Sequence, residues 1–420
     1  MSAPVLAKPG KLTAVMTAAA AADLSEISLP PAPASRTPQL LRRYQLLSVI
    51  VLLLLGLGTA TATLQLRTAL SQGPGIVDQY ARIGTVHSEL LTAGNAAARN
   101  LLAPSTANHK QLTSSLDHAH ELLLQAAAER PQDAEQLQVL SAGLIDYDRL
   151  LSESVSGSGS SARAALVKAD ALLDAQLVPA LDSLRAQLAS EAGQDSWSGW
   201  AWLLAIAAVV ALAALIIVSV GTARITHRYL NRGVVGALLA ALVIVVLGAT
   251  AISRAGDALD LDQSSELKTT VSIASGRAAL NQVDRLQLRG ALDHTWSTKT
   301  SDAVTQATRV AQATARANKA TLAPALRAVI KTQEGISTRL TKNDWTGAAR
   351  TLTSTQSATG LADVDTAAST ATATTVKAAA QQLTDAAWVM LALVIAQVIV
   401  TLIAMVLALW GLDRVLREYR

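Results

Sequence analysis

The residue types able to do chemistry are few in this chain. It has six histidines, His87, His109, His118, His120, His227 and His294, and no cysteine. Without a thiol there is no disulfide framework, no thiolate nucleophile, no zinc–cysteine site and no iron–sulfur centre. His118 and His120 are two apart, so they leave a helix on different faces and cannot share a metal as an i, i+4 pair does. Asp117 and Glu121 do share a face, but on a solvated helix such a pair reads as surface charge. No phosphate-binding glycine loop and no nucleophile elbow occurs. The sequence therefore predicts a non-enzymatic protein with no catalytic residue, no cofactor and no metal.

Three polar features remain for binding or coupling. His87 falls in the apolar phase of a helical stripe, where it reads as a core histidine satisfied by a neighbour such as the Tyr147 hydroxyl, or as a pH- or ligand-responsive polar layer. Arg99 and Arg289 occupy similar places, late in the first helix of each half, followed by Asn100 and Gly290. Either is an ordinary surface arginine, or its guanidinium forks onto a carboxylate of a ligand or partner. The third feature is the short segment Gly221–Gly233, which holds Arg224, Arg228 and Arg232 and no acid.

The elements that position these residues are set by apolar runs. Hydrophobic residues make up 51% of the 420 residues and charged residues only 16%. A soluble globular chain carries about 25% charge. The excess lies in four uncharged runs, Leu46–Leu66, Trp200–Val220, Val234–Ile252 and Trp388–Leu409. Each has the roughly 20 residues that cross a hydrocarbon core. The first run starts too late and is too long for a signal peptide's apolar core, so it reads as an anchor. The basic short segments predict that the middle loop and both termini are cytoplasmic. Trp197, Trp200, Trp202 and Trp388 lie at the outer ends of spans, and Tyr44, Tyr229, Trp410 and Tyr419 at or near inner ends, where aromatic rings prefer the headgroup layer. Inside the runs no ionisable group occurs, which argues against a pump or transporter. Gln397 and the Thr59/Thr61/Thr63 series suit helix–helix hydrogen bonding, and Gly56, Gly58, Gly233, Gly236 and Gly248 suit close helix approach.

The order of segments repeats: span, long polar segment, span, short basic loop, then the same again. The expected divisions are a disordered basic tail (1–43), spans at 44–66, 197–220, 234–252 and 387–411, extracytoplasmic segments at 67–196 and 253–386, a basic loop (221–233) and a short tail (412–420). Gly73-Pro74-Gly75 predicts a break after the first span. Four stripes follow, Ile76 to Leu101, Leu112 to Ala126, Leu137 to Leu151 and Leu173 to Leu188, with a kink expected at Pro179. Apolar spacings of three and four predict a four-helix bundle. The second segment predicts a parallel set: a helix from Ser253 to Leu292, then Ser301–Leu322, Pro324–Leu340 and Trp345–Ala386, interrupted near Gly360. The fold class is thus an all-α membrane protein with four transmembrane helices and two tandem extracytoplasmic four-helix bundles. The first segment holds nine basic and fifteen acidic residues, the second fifteen basic and twelve acidic. Opposite fields of this kind are either solvated faces or a means of docking the bundles on each other or on different partners.

Two resemblances follow. Each half resembles the four-helix-bundle sensor of chemoreceptors and histidine kinases, without the long cytoplasmic signalling domain of those receptors. The whole chain resembles the GlnX-type membrane proteins of actinobacteria. Beyond the four-span plan, the resemblance rests on Ala223-Arg224-Ile225-Thr226-His227-Arg228-Tyr229-Leu230-Asn231 and Leu416-Arg417-Glu418-Tyr419-Arg420. It implies a transducer that works with an extracytoplasmic glutamine-binding-type lipoprotein and the cytoplasmic serine/threonine protein kinase G. The role implied is to pass the status of external amino acids, such as aspartate and glutamate, to nitrogen and carbon metabolism. Arg224, His227, Arg228 and Asn231 are then the expected coupling residues on the cytoplasmic side, and Arg99 and Arg289 the expected ligand or partner contacts. Membrane lipid and a second copy of the chain complete the expected partners, and no nucleic acid is among them. The alternatives are an envelope scaffold that transmits nothing, and a small pore or permease accessory. A soft joint at Gly73-Pro74-Gly75 would make the second half the stiffer conductor of a signal.

Overall fold

The computed structural model describes residues 37–192, 206, 208–221, 232–259, 265–318 and 322–418. Among these every regular element is a helix and no strand occurs. In order they are α1 (Thr37–Leu102), α2 (Thr106–Glu129), a 3₁₀ turn (Pro131–Asp133), α3 (Ala134–Ser156), α4 (Gly159–Leu172), a π turn (Leu173–Leu177) and α5 (Val178–Ala192). Then come α6 (Ala208–Gly221), α7 (Arg232–Leu259), α8 (Ser265–Asp293), α9 (Thr298–Ala317), α10 (Ala323–Thr341), α11 (Trp345–Leu352) and α12 (Thr355–Glu418).

Three of these helices, α1, α7 and α12, are long and apolar enough to cross a membrane. This is therefore a helical membrane protein. Of the expected second span, the structure describes Ile206 and α6 as helix, and the remaining residues lie outside the described ones. Residues of α1, α6, α7 and α12 share one apolar cluster, in which Leu52, Ala211, Ala241 and Ala404 pack together. Many of the large side chains between, such as Leu54, Val246 and Ile399, are exposed, as befits faces turned to lipid. Small residues set the spacing at the contacts of α12 with α1 and α7. A Cβ on Gly56 of α1 would run into Thr401, and one on Gly236 of α7 would press on Leu407.

Helices α1 and α12 are 66 and 64 residues long and run antiparallel, from the apolar layer far into the polar module. The break expected at Gly73-Pro74-Gly75 is absent, because α1 passes unbroken through Pro74. The turns on either side are held by packing: Leu70 and Val77 are buried against Ala379, Leu383 and Ala387 of α12. That burial outweighs one missing backbone hydrogen bond. The interruption expected near Gly360 is also displaced. The chain turns at Thr353–Ser354, after the short helix α11, whose start is capped by Asp344 accepting from the Gly347 amide at 2.9 Å. Gly360 lies within α12 and lets Val329 approach closely. The expected single helix from Ser253 to Leu292 is described as the end of α7 and all but the last residue of α8, with residues 260–264 outside the described ones.

At Pro179 the chain adapts by widening the preceding turn. The π turn Leu173–Leu177 makes room where the proline ring would meet the carbonyl of Ala175.

Two apolar cores fill the module. The larger gathers Ile83 to Ala98 of α1, the buried stripes of α2 to α5, and also Leu288, Ile336, Leu340, Ala348 and Leu352 from the second half. The smaller joins α8, α9, α10 and α12 around Ile273, Leu280, Leu326 and Val364. The halves therefore share a wall, in which α1 packs against both α8 and α12.

Candidate functional site, a charged seam between the halves

Helices α1 and α8 lie parallel and meet along polar stripes. On α1 the stripe is Ser88, Thr92, Asn95 and Arg99, and on α8 it is Arg277, Asn281 and Asp284. Steps of three and four place each set on one helical face. The Asn281 amide donates to Ser88 Oγ at 2.8 Å and to Thr92 Oγ1 at 3.3 Å. In return Asn95 donates to the Asn281 carbonyl at 3.0 Å. Above them Arg99 donates to Asp284 Oδ2 at 2.5 Å, and below them Arg277 donates to Glu89 at 2.8 Å. Arg277 also pairs with Asp365 of α12.

A second row runs beside the first. Arg285 forks onto Asp174 of the π turn at 2.7 and 2.6 Å, and its Nε faces Asp170 at 3.3 Å. Arg289 pairs with the same Asp170 and donates to the Leu166 carbonyl at 3.0 Å. The π turn thus lies at the seam, and Asp174 within it is the residue that receives the fork.

Three arginines of the second half, Arg277, Arg285 and Arg289, meet Glu89, Asp170 and Asp174 of the first. Of the two readings of the opposite charge balance, docking of the halves is the one these residues realise. The reverse pair, Arg99 with Asp284, is the most deeply buried, with side chains 3% and 0% exposed. Burial pushes the Asp284 carboxyl above the usual range, and the positive charge of Arg99 works against that rise. Burial likewise raises Asp365, with Arg277 opposing and Glu89 adding to the rise.

The seam brings together both arginines singled out from sequence. Arg99 meets a carboxylate through a single bond and not a fork, and the carboxylate is Asp284 of the same chain. Arg289 is held by Asp170 and Leu166. Neither guanidinium projects from the distal surface. Asn100 serves the backbone, accepting from the Ser105 amide at 3.1 Å, and Gly290 lets Trp296 lie against α8. Arg224, His227, Arg228 and Asn231 lie outside the described residues.

His87 has a different neighbour from the one expected. The Tyr147 hydroxyl donates to the Leu90 carbonyl at 3.0 Å, while His87 Nδ1 stands 3.4 Å from Arg185. Burial first, then the positive charge of Arg185, lower His87 to about 4.

The sequence reading missed Glu89, Asp170, Asp174, Arg277, Asn281, Asp284 and Arg285. Their signal was present: polar residues recur at three- and four-residue steps on a face next to the apolar stripe. A polar stripe usually faces water, and here it faces the other half.

Among the described residues no group of three or more histidine, aspartate or glutamate side chains is placed to hold a metal ion. The chemistry of this seam is electrostatic registration of one helix against another. Compared with known proteins, the chain matches no family model, no curated protein and no solved structure.

Proposed function

We propose that this chain is a non-enzymatic signal transducer of the cell membrane. It crosses the bilayer four times, with both termini and the Gly221–Gly233 loop in the cytoplasm and two tandem four-helix bundles outside. The basic short segments support that orientation. The packing of α6 into the same apolar cluster as α1, α7 and α12 supports the fourth span.

The observation that carries the reading is the continuity of α1 and α12 from the apolar layer to the ion-paired seam. A buried ion pair stabilises a fold little relative to apolar side chains of the same size, yet removing one partner is costly. Such a seam fixes register, and its alternatives are discrete. A partner that shifts the seam by about 1–2 Å moves two helices that reach the other side of the membrane. The outside partner is a solute-binding lipoprotein loaded with an amino acid of the aspartate or glutamate type. The inside partner is a serine/threonine kinase of the protein kinase G type, reached through Arg224, His227, Arg228 and Asn231.

The test is purification of the tagged full chain in mild detergent, with mass spectrometry of what accompanies it, for the wild type and for Arg224→Gln/Arg228→Gln. The reading expects a solute-binding lipoprotein and a kinase with the wild type, and loss of the kinase alone with the double variant. Recovery of envelope-assembly proteins without either partner would favour a scaffold.

A further inference from the structure

The module carries a basic groove and an acidic ridge at the same height. The groove lies between α9 and α10. One part, of about 290 Å³, is lined by Arg316, Arg327 and Lys331 over a floor of Ala315 and Ile330. It continues past Gln312 and Glu334 into a second part of about 360 Å³ that includes Arg309. All four basic side chains are exposed and make no ion pair among the described residues. The ridge is on α2, where Asp117, Glu121 and Leu124 follow one another at steps of four and three and so share an exposed face. Asp117 and Glu121 make no ion pair among the described residues, and Leu124 is 65% exposed.

Their heights follow from helix pairing. Helix α2 runs antiparallel to α1, with the Gln79 amide beside the Ala126 carbonyl, which puts Glu121 at the level of Gly84. A Cβ on Gly84 would touch Ala274 of α8. Helix α9 runs antiparallel to α8, with Thr314 donating to the Ser272 carbonyl at 2.9 Å, which puts Arg316 at that same level within about one turn. Two copies anchored in one membrane with one orientation therefore present ridge and groove to each other at matching heights.

We infer that the α9–α10 groove of one copy receives the α2 ridge of a second copy. Asp117 and Glu121 then meet the groove's cations, and Leu124 covers its apolar floor. The two patches differ, so the contact is head-to-tail: in the plane of a membrane it builds a ring where the rotation between copies closes and an open row where it does not.

The experiment is mass photometry of the full chain in lipid nanodiscs, with thermal unfolding as a control for each variant. The wild type is expected to be oligomeric. Asp117→Lys/Glu121→Lys and Arg327→Glu/Lys331→Glu are each expected to weaken assembly about tenfold or more. Co-expressing these two variants restores every contact between unlike copies, so oligomers should return. A misfolded variant would give no such rescue. A wild-type chain that stays monomeric overturns the inference, whether or not the groove then takes up an acidic partner or free phosphate. So does an oligomer that ignores both charge reversals, or a pair of variants that fails to reassemble.

Discussion

Arg99 of α1 and Asp284 of α8 meet at 2.5 Å with side chains 3% and 0% exposed. They are 185 residues apart in the chain. This pair ties the first half to the second at the depth where water cannot replace a lost partner. Its surroundings are polar but incompletely paired: Arg99 Nε and Asp284 Oδ1 have no hydrogen-bond partner in the structure, nor does the Gln287 side-chain oxygen nearby. A layer of this kind holds one register firmly and leaves polar capacity for another.

Removing one charge of the pair should cost far more than removing both. Arg99→Leu leaves a buried carboxylate without its cation, a loss of about 3–5 kcal/mol. Arg99→Leu/Asp284→Leu removes the uncompensated charge and should recover most of the apparent Tm in detergent. A double variant that loses the sum of the two single effects would contradict this account.

His87 sets a pH dependence whose sign can be worked out. Its folded value of about 4 lies below the ordinary 6.5. As pH falls through 6.5 the unfolded chain takes up a proton that the folded chain refuses until about 4. The contribution is fully present above 6.5 and is lost progressively toward 4. His87→Gln should therefore flatten the fall in Tm between neutral pH and the acid end of that window. An unchanged slope would show that groups other than His87 govern it. Asp284 and Asp365 are not among them, because a raised carboxyl takes up its proton first in the folded chain and so adds stability toward acid.

The apolar stripes were legible because burial in a helix follows its period. Leu112, Leu116, Ala119, Leu123 and Ala126 are all buried as their spacing requires. The same holds for Leu137, Leu140, Leu144, Tyr147 and Leu151. What could not be read was which polar stripe faces protein instead of water, since Glu89 and Arg277 look alike in either setting until their partners are placed. Local breakers were over-weighted for a related reason. Pro74 carries a local cost that the long contact with α12 overrides, and nothing near it in sequence announces that contact. Arg99 and Arg289 were singled out by position, and both serve the seam, but their counter-charges lie far away along the chain.

The centre of the larger core gives a sharp packing test. Tyr147 is fully buried, its hydroxyl donates to the Leu90 carbonyl at 3.0 Å, and burial keeps the phenol protonated by raising it well above its ordinary range. Tyr147→Phe keeps the ring and loses only this bond, about 0.5–1.5 kcal/mol. Gly94→Ala places a methyl 2.6 Å from the same hydroxyl and forces the ring to move, about 1–3 kcal/mol. Tyr147→Ala empties the site and should cost about 3–5 kcal/mol. Thermal unfolding of the three variants should rank the alanine replacement of the tyrosine last in stability, and any other variant in that place would contradict the packing described.

Within the apolar layer, two glycines only two residues apart should behave differently. A Cβ on Gly56 would collide with Thr401 of α12, whereas Gly58 has nothing within 4 Å of the same position. Close approach here also places the Thr63 hydroxyl 3.2 Å from the Gln397 side-chain oxygen, across α1 and α12. Because the chain has no cysteine, Thr63→Cys/Gln397→Cys provides a proximity probe with no background. Gly56→Leu should prise the helices apart and suppress that cross-link, since lipid supplies no hydrophobic force to re-close an ill-fitting contact. Gly58→Leu should leave it intact, because its new side chain meets only the bilayer. Equal cross-linking in both variants would mean that α1 and α12 are held by their contacts in the polar module alone, and that the glycine at position 56 plays no part in bringing them together.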